Sequence, residues 1–133
     1  MAKKVIIDTE YVSLCFYPES GIVHHTIHQY LPEGVMEELL TTGAEYLEKH
    51  NGTKWLSDDR GNTVVRPADA EWGLGVWLPR VLLAGFKYWA VVMPAKAIGK
   101  MQMRTLITEL AGRGVTVQAF DKLDPAMKWL ESV

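Results

Sequence analysis

On either side of Pro18-Glu19-Ser20-Gly21, alternate positions sort into a mainly apolar set and a mainly polar or aromatic one. Alternation with a period of two marks a strand with one covered face. Two such runs joined by a short turn rich in Pro, Ser and Gly predict a hairpin, with strands at 11–17 and 22–29. If Tyr17 stands opposite Ile22, then Cys15 faces His24, Ser13 faces Thr26 and Tyr11 faces His28. Those six share one face. Val12, Leu14, Phe16, Val23, His25 and Ile27 share the other, which by its apolar content is the core face. The polar face is then left exposed or covered by a second subunit.

The period changes after the hairpin. Residues 33–50 place Met36, Leu39, Leu40, Gly43, Ala44 and Leu47 at helical spacing, and Asn51-Gly52 supplies a left-handed stop. A short strand is predicted at 53–57, a loop at 61–66, and a helix start at Pro67-Ala68-Asp69. The helix that follows, about 68–84, contains Gly73, Gly75 and Pro79, so a kink or break is expected near the proline. Further elements are a strand at 88–93, a helix at 98–111 ended by Gly112 and Gly114, and a strand at 115–120. Asp124-Pro125 reads as cap and first residue of a terminal helix carrying Met127, Trp129 and Leu130. The order is β-β-α-β-α-β-α-β-α. It predicts an α/β domain spanning 1–133, with a mostly parallel sheet, right-handed crossovers and an N-terminal hairpin at one edge.

A length of 133 residues suits one domain with a core of its own. Hydrophobic residues at 48% and charged residues at 23% argue against disorder and against a membrane protein, and no apolar run approaches the roughly 18 residues of a spanning helix. The expectation is a soluble, cytoplasmic chain without membrane contact. Fourteen Lys and Arg are scattered among 16 Asp and Glu, for a net charge of −2, which gives no electrostatic footprint for nucleic acid. A lone Cys15 excludes an internal disulfide and a cysteine zinc cage.

With this order of elements, the stretches KWLSDDRGN, PADAEWG, LPR and AGFKYWAVVMP make the chain resemble the STAS-like (SpoIIAA-like) superfamily. The likeness is to a group of short bacterial proteins of unassigned function, some labelled STAS or CRAL-TRIO-like. The fold is that of the anti-sigma-factor antagonists, and the resemblance implies a regulatory, partner-binding role. In those proteins a Ser-Gly pair at the start of the helix after the third strand is the phosphorylation switch. The corresponding region here, 58–69, holds Thr63 and no such pair, so the resemblance extends to fold and partner binding without the usual phosphoserine switch.

Several residues invite chemistry. His24 and His28 share a strand face but lie roughly 13 Å apart at about 3.3 Å per residue, so they cannot chelate one ion, and no metal or cofactor is expected. His25 points inward and reads as a hydrogen-bonded core residue. Asp58, Asp59 and Arg60 stand at the carboxyl end of a strand, where ligands bind in parallel sheets. Adjacent acids on an extended chain point apart, so one is expected to cap or pair locally and the other to face solvent or a ligand. A phospho-receiver arrangement with Lys122 does not fit, because both acids follow the third strand. Ser57 lacks a nucleophile-elbow setting. Gly73-Leu74-Gly75 lacks the third glycine of a phosphate loop and falls within a helix. Trp55 and Trp89 are expected in the core, and of Trp72 and Trp77, five apart, one is expected to face solvent.

The leading expectation is a small regulatory or interaction module acting by protein–protein binding, with no catalytic residue and a partner the sequence does not name. It would form a homodimer through the face carrying Tyr11, His24 and His28. The alternative is a small-molecule sensor or small enzyme with a pocket built from Asp58, Asp59, Arg60, Trp72 and Arg80.

Overall fold

The computed structural model describes residues 2–133. Six strands form one mixed sheet in simple sequential order: β1 (Lys4–Asp8), β2 (Val12–Tyr17), β3 (Ile22–Ile27), β4 (Lys54–Asp58), β5 (Tyr88–Val92) and β6 (Thr116–Phe120). β1 and β2, and β2 and β3, pair antiparallel, and β3 to β6 are parallel. Tyr17 stands opposite Ile22, Cys15 opposite His24 and Ser13 opposite Thr26, so the alternation and the turn together set the hairpin register. Gly21 at φ +74° closes the turn.

The hairpin is not the edge of the sheet, because β1 covers it. Alternation gives no sign of that strand, since its register slips between Val5 and Ile7, a bulge that lets both Ile6 and Ile7 pack against the core. The bulge and Lys4 also protect the exposed edge from pairing with other chains.

Strand order explains where the helices lie. Three parallel connections that all step the same way, each with the usual right hand, must place their helices on one face. That face is covered by α1 (Val35–His50), by a rod made of α2 (Pro67–Trp72), a π-turn (Gly73–Trp77) and α3 (Leu78–Ala84), and by α4 (Ala97–Gly112). Val23, Trp55, Trp89 and Val91 project into this larger core. Only α5 (Leu123–Ser132) packs on the opposite face, where Ala126 and Leu130 meet Ile22, Leu56, Ala90 and Val92. It is capped by Lys122, two residues ahead of the expected Asp124, which lies in the first turn.

α1 buries Met36, Leu39, Leu40, Gly43, Ala44 and Leu47 and ends at Asn51, φ 52°. Gly43 is required by space: a Cβ there would collide with the indole ring of Trp55. The rod does not break at Pro79. It widens by one residue just before it, with Leu78 N–H donating to Gly73 O, and this π-turn absorbs the missing N–H and the ring bulk of the proline. Trp77 is buried and Trp72 is half-buried against the same core, because closing the turn over five residues brings positions five apart onto one side.

Candidate functional site

Alternation along β3 and β4 divides two neighbouring pairs between the faces of the sheet. His25, Trp55, Ser57 and Asp59 point toward the three-helix side, and His24 and Asp58 toward the other. On the helix side, Trp55 Nε1–H donates to His25 Nδ1 over 3.0 Å. A ring nitrogen that accepts carries no proton, so the proton sits on Nε2, which donates to Asp59 Oδ1 over 3.1 Å. Trp89 Nε1–H donates to Ser57 Oγ over 2.7 Å, and Trp77 Nε1–H to the Leu40 carbonyl over 3.0 Å. His25, Ser57 and Asp59 are all buried.

These groups form the floor of a cavity of about 90 Å³. The rod provides one wall through Asp69, Ala70, Gly73, Leu74 and Trp77, and α4 provides another through Met103, Leu106 and Leu110. Met36 and Leu40 of α1 and the loop residues Asn62 and Val65 complete the lining. The loop is held in place on both sides. Gly61 lies so close to the carbonyls of Ile27 and His28 that no Cβ would fit, and Val65 exchanges hydrogen bonds of 2.9 and 3.2 Å with the Gln102 side chain of α4. Asp59 N–H continues the sheet pairing onto Val92 O at 3.0 Å. The cavity lies between the sheet and its helices, and its polar end, with Ser57, Asp59 and Asn62, is at the carboxyl end of β4, the side on which parallel sheets bind ligands.

The polar groups of the lining are incompletely paired. Among the described residues, Asp59 has His25 as its one side-chain partner, no Lys or Arg forms an ion pair with it, and its second carboxylate oxygen accepts nothing. Asn62 is 4% exposed, yet none of the side-chain hydrogen bonds involves its amide. Asp69 has only a loose contact of 3.8 Å with Arg66. Among the described residues, Ser20 Oγ is the one enclosed side-chain polar atom without a partner. The free groups of Asp59 and Asn62 are therefore not sealed in protein, and both residues line the cavity.

On the other face the polar groups are paired. Arg60 donates to both oxygens of Asp58 at 2.9 and 2.7 Å. Burial pushes the Asp58 carboxyl up, but the side-chain and backbone hydrogen bonds of Arg60 and its charge outweigh this and hold the group below the ordinary aspartate range. His24 is buried beside Tyr17 and Thr26, whose hydroxyls lie 3.2 and 3.4 Å from its ring nitrogens. Burial first, then the neighbouring His25, lower its pKa to about 4. Ser13 bridges Asp8 and His28 at 3.2 and 2.8 Å.

The residues singled out in the sequence therefore scatter. Asp59 lines the cavity. Asp58 and Arg60 pair with each other on the opposite face, and Arg80 is held at the surface by Glu48 through two bonds of 2.8 Å. Trp72 packs on the core outside the cavity lining. Of the face expected to dimerise, His28 is exposed, His24 is buried within the chain, and Tyr11 leans round to pack against the larger core, because it precedes the regular part of β2. Asn62, Asp69 and Trp77 were not anticipated in the site. Asn62 follows a glycine in a strand-end loop, a placement that was available as a signal. Asp69 and Trp77 enter only because the rod lies over β3 and β4.

Among the described residues, no three His, Cys, Asp or Glu side chains come together as a metal ion requires, and no helix is long and apolar enough to cross a membrane. Compared with known protein families, curated proteins and solved structures, the chain matches none.

Proposed function

We propose that the protein is a small-ligand-binding module whose site is the cavity over the carboxyl ends of β3 and β4. The observation that carries this reading is a buried carboxylate, Asp59, with one oxygen free, facing an apolar cavity beside the unpaired amide of Asn62. Such groups find no partner in the chain, and a ligand that supplies hydrogen bonds to them while filling the apolar space gains from both. Binding is favoured over catalysis because both nitrogens of His25 are already engaged, by Trp55 and by Asp59. No free ring nitrogen remains to take a proton from Ser57 or from a water.

The frame on which the site sits is read as STAS-like. Support comes from the succession of a hairpin and four βα units, β3–α1, β4–rod, β5–α4 and β6–α5. The decisive experiment is a fragment screen followed by NMR of the indole and backbone N–H groups. The indole signals of Trp55, Trp77 and Trp89 are expected to move together with at least one fragment, which should also raise Tm. A broad screen that leaves all three unmoved would sink the proposal.

A second reading, a module that binds another protein, is supported by the outer side of the rod. Val76 is 56% and Leu83 92% exposed there. Val76→Lys and Leu83→Lys should then abolish any self-association or partner capture seen with the wild type while leaving the fragment response intact.

A further inference from the structure

We infer that the cavity takes a small organic cation, a protonated amine or amidinium carried on an apolar body of a few carbons. The inference rests on the reading of the cavity as a binding site and names the chemistry of its occupant.

The first argument is charge. Asp59 is 2% exposed and no Lys or Arg pairs with it among the described residues. Its one partner, His25, donates from Nε2 while its Nδ1 accepts from Trp55, the pattern of a neutral ring. A buried carboxylate without a cation is expensive, and such groups are normally paired. The second carboxylate on the lining, Asp69, is 7% exposed, and Arg66 reaches it only at 3.8 Å. The net charge of the lining is therefore negative.

The second argument is the balance of donors and acceptors. All three indole N–H groups of the lining are taken by protein acceptors. Asp59 and Asp69 can only accept, Asn62 offers both a carbonyl and an amide, and Ser57 keeps one hydroxyl proton to donate. The cavity thus presents more acceptors than donors, and a ligand rich in N–H satisfies it through short, charge-assisted bonds. An anion would meet two carboxylates.

The third argument is the walls. The indole rings of Trp55, Trp77 and Trp89 have no polar edge left to offer, so a ligand meets their apolar surfaces and needs an apolar body of its own. At about 90 Å³ the space is smaller than the ~150 Å³ apolar cavity that admits benzene, so the occupant is small.

The test uses two sets of size-matched probes at neutral pH: benzylammonium, benzyl alcohol and benzoate, then propylammonium, propanol and propionate. Affinity is read from the shifts of the Trp55, Trp77 and Trp89 indole signals. In at least one set the ammonium should bind about tenfold more tightly than its neutral partner, with the carboxylate weakest. In Asp59→Asn that preference should fall to about twofold or less. Asp69→Asn, whose carboxylate already has Arg66 nearby, should lower it less. The wild-type series decides the matter even if a variant fails to fold. Alcohols that bind as well as the ammoniums, or a preference that survives in Asp59→Asn, would overturn the inference and leave the binding site standing. Silence from all six probes while other fragments move the indoles would also overturn it alone, whereas silence from every fragment would remove the site as well.

Discussion

Asp58 and Asp59 are adjacent in the chain and buried on opposite faces of the sheet, and the protein treats them differently. Asp58 is gripped at both oxygens by Arg60. Asp59 is held at one oxygen by a neutral imidazole and faces a cavity with the other. His24 and His25 divide in the same way: His24 lies between two hydroxyls beside the closed ion pair, and His25 is locked between Trp55 and the open carboxylate. One face satisfies its polar groups within the chain. The other leaves some without a partner in the chain at the cavity, a difference that residue type alone does not show.

The strongest way to break the comparison is to disturb the side that holds His25. Gly43→Ala would drive a methyl group into the Trp55 ring, displacing the indole that fixes the His25 tautomer. A loss of roughly 3 kcal/mol is expected, at the upper end for overpacking, together with loss of the fragment response. Urea denaturation and the Trp55 indole signal would check both.

A loss of similar size at most should come from acid acting on the opposite face. His24 resists protonation in the folded protein until about pH 4, whereas in the unfolded chain it charges near pH 6.5. Stability from this group is therefore complete above about pH 6.5 and drains away as pH falls toward 4, by up to roughly 3 kcal/mol. The neighbouring charges Asp58, Lys3 and Arg60 bias the same group, Asp58 upward and the two cations downward. Below the ordinary aspartate range, protonation of Asp58 adds to the loss. In His24→Gln the slope between pH 6.5 and 4 should flatten; an unchanged slope in denaturation curves would place the sensitivity elsewhere.

Substituting the two acids sharpens the contrast directly. Asp58→Asn breaks an ion pair whose acid is buried, and should cost about 1–2 kcal/mol. Asp59→Asn keeps an oxygen to accept from His25 and removes an unpaired buried charge. It should leave stability within about 1 kcal/mol, or raise it, while weakening cation binding. Equal and large losses in thermal melts of the two variants would contradict the division between the faces.

The smallest effect is expected at Arg80. Its pair with Glu48 is bidentate but exposed on both sides, so Arg80→Ala should cost only about 0.5 kcal/mol. It should also leave the fragment response untouched, since Arg80 is held at the surface by Glu48 and is not part of the cavity lining.

Most elements of the fold were legible because they rest on short-range rules. The helical stripe from Met36 to Leu47 is the buried face of α1, and the left-handed stop at Asn51 ends it where the sequence places it. The π-turn was legible only as a disturbance near Pro79, since proline shows that the hydrogen-bond ladder must change but not how. β1 was not legible, because a bulge erases the alternation by which strands are recognised.

The site divides along the same line. That Asp58 and Asp59 must point apart, and that His25 must face the core, follows from the alternation of an extended chain. Sequence alone therefore determined which of the adjacent residues could share a face. It did not determine which acid would find a cation. That depended on Arg60 folding back over one face of the sheet while the rod, crossing the other, laid Trp77 and Asp69 over β3 and β4 and brought Asn62 to the rim. Distances along the chain do not encode such meetings. They arise from the handedness of the crossovers and the volume left between packed helices, which only the assembled tertiary structure defines.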